Sequence, residues 1–170
     1  MAEVLLSLGS NQDRERYILA ALDALFAAFG DLQLSSVYES EAVGFKGSPF
    51  YNMVVGIHTD LTVAQLSVCL KQIEDNNGRR RNGPKFSSRT LDIDILTYDD
   101  LVGEVDGVLL PRDEVDKNAF VLWPLAELKP DQLHPIRKRS YQQLWAEYDQ
   151  QQKLWPVDFF WRDRQISFSR

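Results

Sequence analysis

The order in which apolar periodicities alternate along the chain restricts its fold more than any other feature. Glu3 to Leu8 is a short apolar run closed by Gly9-Ser10-Asn11, which reads as a strand entering a tight loop. Ile18, Leu22, Leu25, Phe26 and Phe29 then fall at helical spacing, and Gly30-Asp31 supplies the stop. Leu32 to Tyr38 alternates as a strand, residues 40–49 form a loop around Gly44, Gly47, Ser48 and Pro49, and Phe50 to Thr59 is rich in β-formers. A second helix carries its own start signals. Thr62 and Gln65 make a candidate capping box, Leu61 can staple onto Leu66, and Leu66, Cys69, Leu70 and Ile73 form the apolar stripe. Gly78 ends it, and Leu91 to Tyr98 is another strand. The order β-α-β-β-α-β predicts an α+β, ferredoxin-like sandwich: an antiparallel sheet with helices on its faces.

Beyond that core, a turn-rich stretch runs through Gly103 and Gly107 to Pro111. Residues 117–128 read as a helix interrupted at Pro124, and Ser140 to Gln151 as a last helix. Residues 152–170 hold Trp155, Phe159, Phe160, Trp161 and Phe168 and are expected to pack as a C-terminal extension. No repeat or linker divides the 170 residues, so a single domain over 1–170 is expected. Ferredoxin-like sheets host many functions, so chemistry must be sought in particular residues.

Asp92 and Asp94 are the sharpest such residues. Two apart on a strand, they point to the same side, with Cα atoms roughly 6–7 Å apart. Aspartate is a poor strand residue, and two like charges on one face repel unless something cationic joins them. Magnesium answers that need, since it uses one or two protein carboxylates and fills its octahedron with phosphate oxygens and water. Solvated edge-strand aspartates, or aspartates paired with arginine, remain alternatives on spacing alone. Just before them, Arg79, Arg80, Arg81, Lys85 and Arg89 crowd five positive charges into eleven residues. Arginine forks match phosphate oxygens, and phosphoryl-type transfer needs a metal clamp with arginines that spread the developing charge. A solvated charged loop is the plain alternative. Neither a G-x-x-x-x-G-K-[ST] loop nor a G-x-G-x-x-G fingerprint is present, so if ATP binds, it uses side-chain arginines and metal rather than a glycine cradle.

Charge and composition exclude other classes. A net charge of −6 disfavours general binding to nucleic acid or anionic membrane. The aromatic signature of RNA-binding ferredoxin-like sheets is also missing, so an RNA-binding role is disfavoured. No apolar run reaches the roughly 18 residues of a membrane span, and no charged start with an apolar core is visible, so the cytoplasm is the expected compartment. Cys69 is the only cysteine, which precludes an internal disulfide, and it reads as a small buried hydrophobe. His58 and His134 lack metal-ligand spacing and read as structural. A monomer is the default expectation.

Six segments, in order and spanning about residues 3–131, resemble the 6-hydroxymethyl-7,8-dihydropterin pyrophosphokinase family. They are L-S-L-G-S-N (6–11), S-S-V-Y-E-S (35–40), F-Y-N (50–52), Ile73-Glu74 with Gly78-Arg79-x-Arg81, F-S-S-R-T-L-D-I-D-I-L (86–96) and N-A-F-V-L-W-P-L-A-E-L (118–128). The resemblance implies a ferredoxin-like, ATP-dependent diphosphotransferase that moves pyrophosphate from ATP to 6-hydroxymethyl-7,8-dihydropterin in folate biosynthesis. It implies that Asp92 and Asp94 bind two magnesium ions, while Arg79 and Arg89 stabilise the transferring charge. Phe50 and Phe120 would sandwich the pterin ring, Asn52 would bond its edge, and backbone groups near Ser40 and Val43 would help. Glu74 would lie near the nucleotide, with Arg81, Lys85 and Phe86 covering it.

The chain also departs from the family pattern. Phe86-Ser87-Ser88 replaces Trp-Gly-Pro, and Glu41 and Ala42 stand where the family often has prolines. Arg112 takes a histidine position, where it can serve as a phosphate donor, and Asn118 takes an arginine position. Asp113, Glu114 and Asp116 add negative charge in the same stretch. This altered segment motivates a second reading: a divergent pterin-binding relative with weak, absent or altered transfer.

Overall fold

The computed structural model describes residues 1–41, 48–78, 90–148 and 152–170. In chain order the elements are β1 (Ala2–Ser10), α1 (Arg14–Phe29), β2 (Gln33–Leu34), β3 (Val37–Ser40), β4 (Phe50–Thr59), α2 (Val63–Asn76) and β5 (Asp92–Tyr98). They continue with β6 (Gly103–Val105), β7 (Val108–Leu110), a 3-10 turn (Asp113–Asp116), α3 (Ala119–Leu128), α4 (Tyr141–Ala146), β8 (Leu154–Val157), β9 (Phe159–Trp161) and β10 (Arg164–Ser167). The main sheet runs β5-β1-β4-β3-β8, with β2 also on β4, and its pairings are antiparallel. Its first four positions are the strand order that the split βαβ arrangement gives, so the expected α+β sandwich is the observed one.

The sheet separates two cores because period-2 alternation sends neighbouring residues to opposite faces. On one face, Leu6, Leu8, Val55, Ile93 and Ile95 meet Ile18, Leu22 and Leu25 of α1 and Leu66, Leu70 and Ile73 of α2. On the other, Leu5, Val54 and Leu96 meet Val121, Leu122 and Leu125 of α3 and Tyr141 and Leu144 of α4. Each fully buried aliphatic side chain contributes about 1.5–3 kcal/mol. Gly30 closes α1 at φ 78°, and the Thr62–Gln65 capping box at α2 forms both of its reciprocal hydrogen bonds.

Some elements differ from the expectation. Leu32 to Tyr38 is two short strands, because Ser35 interrupts the ladder: the Val54 N–H donates to the Ser35 hydroxyl at 2.9 Å, and Ser36 turns to Glu127 of α3. Pro124 does not interrupt α3, which runs through it. Pro124 offers no N–H to the Phe120 carbonyl, but burial of Val121, Leu122, Leu125 and Ala126 offsets that loss. The stretch around Gly107 is a β6–β7 hairpin, and α4 ends at Ala146. Residues 152–170 pair β8 with β3 and place Phe159 in the α1/α2 core. Among the described residues, no helix is long and apolar enough to cross a membrane.

Candidate active site

Directly opposed residues in neighbouring strands share a face. Asp92 lies opposite Gly9, Gly9 opposite Asn52, and Asn52 opposite Tyr38, so one row crosses four strands. The adjacent rows add Asp94 opposite Ser7, and Ser40 opposite Phe50. This is the α3 face: Ser7 is also opposite Val54 of the second core, and Tyr38 packs on Trp123 of α3 with ring centroids 4.8 Å apart. Phe120, at the start of α3, packs against that core. The sheet therefore brings Asp92, Asp94, Asn52, Ser40 and Phe50 to one face, with Phe120 on the helix above it.

Asn52 and Ser40 are nearly fully buried, and the Asn52 amide donates to the Ser40 hydroxyl at 2.7 Å, which fixes its orientation. Gly9 gives that amide its space. A Cβ at Gly9 would stand 3.1 Å from Asn52 Oδ1. Gly9 lies inside β1 rather than in the tight loop expected after it, and a glycine inside a strand marks a place where something approaches the backbone closely.

Crowding dominates the electrostatics of Asp94. Burial pushes its carboxyl pKa up to about 6; Arg112 opposes the shift, and Asp92, Glu114 and Glu74 add to it. The Asp94 side chain keeps 37% of its surface in solvent, so the energetic cost is screened well below that of a sealed site. Arg112 lies 3.7 Å from Asp94 and 3.1 Å from Glu114. The arginine-paired alternative thus holds for Asp94 in part. The other acids of the altered segment are also paired, Asp113 with Lys117 and Asp116 with Arg137. Glu74 is buried on α2 at the outer edge of β5, where its Oε2 accepts the Ile93 N–H at 2.8 Å, between the two aspartates.

Two carboxylates on one face, with further carboxylates raising the pKa of one of them, form a donor set that suits a hard divalent cation. Val43, Arg79, Arg81, Lys85, Phe86 and Arg89 lie outside the described residues. Cys69 is half-buried on α2 with its thiol pKa pushed up by burial, as a packing residue requires. His134 accepts the N–H groups of Ile136 and Arg137 on Nδ1, both at 3.1 Å, which makes it a turn-forming residue.

The family model for 7,8-dihydro-6-hydroxymethylpterin-pyrophosphokinase matches residues 5–130. The chain is similar to a 2-amino-4-hydroxy-6-hydroxymethyldihydropteridine pyrophosphokinase of Aquifex aeolicus, at 38% identity over 82% of this chain and 88% of the relative. A Bacillus subtilis protein of the same description is 37% identical over 72% and 75% of the two chains. A folic acid synthesis protein of Pneumocystis carinii is 32% identical over 98% of this chain but only 23% of its own length. Among solved structures, Plasmodium falciparum HPPK-DHPS with pterin and p-hydroxybenzoate superposes with a TM-score of 0.74 at 15% identity. That match covers 98% of this chain and 48% of the other, and shows a shared fold.

Proposed function

The chain belongs to the 7,8-dihydro-6-hydroxymethylpterin-pyrophosphokinase family, and from that premise we propose that the α3 face of its sheet transfers pyrophosphate from ATP to 6-hydroxymethyl-7,8-dihydropterin. In this reaction the acceptor hydroxyl oxygen bonds to the β-phosphorus of ATP, the bond from that phosphorus to the bridging α-oxygen breaks, the hydroxyl proton is released, and AMP leaves. The observation that carries the reading is the row that sets Asp92 beside Gly9 and Asn52, with Asp94 one row away and held by Arg112.

Phe50 and Phe120 take the two faces of the pterin ring, and Asn52, oriented by Ser40, reads its edge with backbone help near Val43. Two magnesium ions held by Asp92 and Asp94 would neutralise the charge of the ATP phosphates. Arg112 shifts from Asp94 toward those phosphates, since a guanidinium stays charged in either place. Arg79 and Arg89 act on the transferring group, and Arg81, Lys85 and Phe86 cover the nucleotide. Glu74 acts on that same end of the site through β5, whose backbone it anchors. Pairing of Asp113, Glu114 and Asp116 with cations supports a working transferase over a binding-only relative. The partners are small molecules, in the cytoplasm.

Asp92→Ala and Asp94→Ala test the reading. Each should lower turnover by about 100-fold or more while the thermal midpoint stays within a few degrees. Wild-type turnover in either variant overturns it.

A further inference from the structure

Phe120 sits one residue inside α3, and the corner that carries it is not capped by its own side chain. Asn118 is the N-cap of α3 in extended conformation, yet its side chain makes no capping hydrogen bond. The missing support comes from the C-terminal part of the chain. The Gln152 side-chain carbonyl accepts the Ala119 N–H at 2.8 Å, and the Tyr148 hydroxyl donates to the Lys117 carbonyl at 2.7 Å. These two bonds grip the backbone on either side of Asn118.

Tyr148 is itself held. Its ring stacks on Trp145, Trp145 on Trp123, and Trp123 packs on Tyr38, with centroids 5.5, 5.2 and 4.8 Å apart. Tyr38 is the strand partner of Asn52. One aromatic stack therefore ties the residue that pins the Phe120 corner to the strand pair that carries Asn52. Aromatic rings reach such contacts with few rotatable bonds, so the tie is stiff.

We propose that Tyr148 and Gln152 are positioning residues that hold the Phe120 wall of the site at a fixed distance from Asn52, and so set affinity for the pterin. The inference rests on the assignment of Phe120 and Asn52 to the pterin made above. It implies that shortening the chain before Gln152 impairs pterin use even though the ATP and metal residues lie elsewhere.

The test is steady-state kinetics on the full chain with ATP, magnesium and 6-hydroxymethyl-7,8-dihydropterin. Gln152→Ala should raise KM for the pterin about fivefold, the factor of one net hydrogen bond, with KM for ATP and kcat unchanged. Tyr148→Phe, which keeps the stack and loses only the hydroxyl, should do the same. Gln152→Glu should behave as wild type, because its carboxylate accepts the same N–H at a helix N-terminus. Unchanged pterin KM in the alanine variant, with or without a lower thermal midpoint, overturns the inference and leaves the proposed reaction standing. So does an equal loss in the glutamate variant. Wild-type protein that does not use the pterin overturns the proposed function and this inference together.

Discussion

Replacing Gly9 with alanine adds one methyl group beneath the side chain of Asn52. The new Cβ would stand 3.1 Å from Asn52 Oδ1, 3.8 Å from Phe50 Cδ1 and 3.9 Å from the Tyr51 carbonyl. Only the first contact is tight, and relieving it requires a shift of a few tenths of an ångström. Asn52 has little freedom to give, because it is buried and bound to Ser40 at 2.7 Å. Overpacking of this kind costs about 1–3 kcal/mol; a single contact belongs at the lower end, about 1 kcal/mol. Gly9 has no positive φ, so alanine adds no backbone strain, and its lower unfolded-state entropy returns about 0.5–1 kcal/mol. Stability should thus change by less than about 1 kcal/mol. The misplaced amide should raise KM for the pterin about fivefold, with KM for ATP unchanged. Thermal melting with steady-state kinetics in both substrates separates these effects. An unchanged pterin KM would refute the placement of Asn52 at the ring edge, and a loss of several kcal/mol in stability would refute the packing argument.

Glu74→Ala leaves the Ile93 N–H without its acceptor in a buried strand edge and should cost about 2 kcal/mol in urea unfolding; a cost below about 0.5 kcal/mol would show that β5 does not need the carboxylate. Burial holds the His134 pKa below the ordinary imidazole value, with Asp116 opposing and Arg137 assisting. Below about pH 6.5 the unfolded chain therefore binds a proton that folded His134 refuses, and stability falls as the pH drops. The fall between about pH 7.5 and about pH 5.5 should be smaller in His134→Asn, and an identical slope would contradict the burial argument.

The sequence made the fold legible where a local signal and a nonlocal contact agree. The capping box at Thr62, the stop at Gly30 and the period-2 spacing of Asp92 and Asp94 each have a single structural reading, and each is realised. Pro124 misled because propensity says that proline breaks a helix, whereas the apolar residues around it bury enough surface to hold α3 together. The β6–β7 hairpin was readable and missed: Asp106-Gly107 between Val105 and Val108 is a two-residue turn with positive φ at both positions. Other contacts had no local signature. Pairing of β8 with β3, the Ser35 hydroxyl in the β4 ladder and the hold of Gln152 on Ala119 join residues far apart in sequence. In the site, strand periodicity foretold the shared face of the aspartates. Placing Phe50 and Phe120 there required the family resemblance, since both resemble ordinary core residues.

The most direct measurement is AMP release from ATP and magnesium, with and without 6-hydroxymethyl-7,8-dihydropterin. The predicted result is AMP that forms only when the pterin is present and in equal amount to pyrophosphorylated pterin. Folded protein that releases no AMP with the pterin, or releases it equally without, would contradict pyrophosphoryl transfer on the Asp92–Asp94 face.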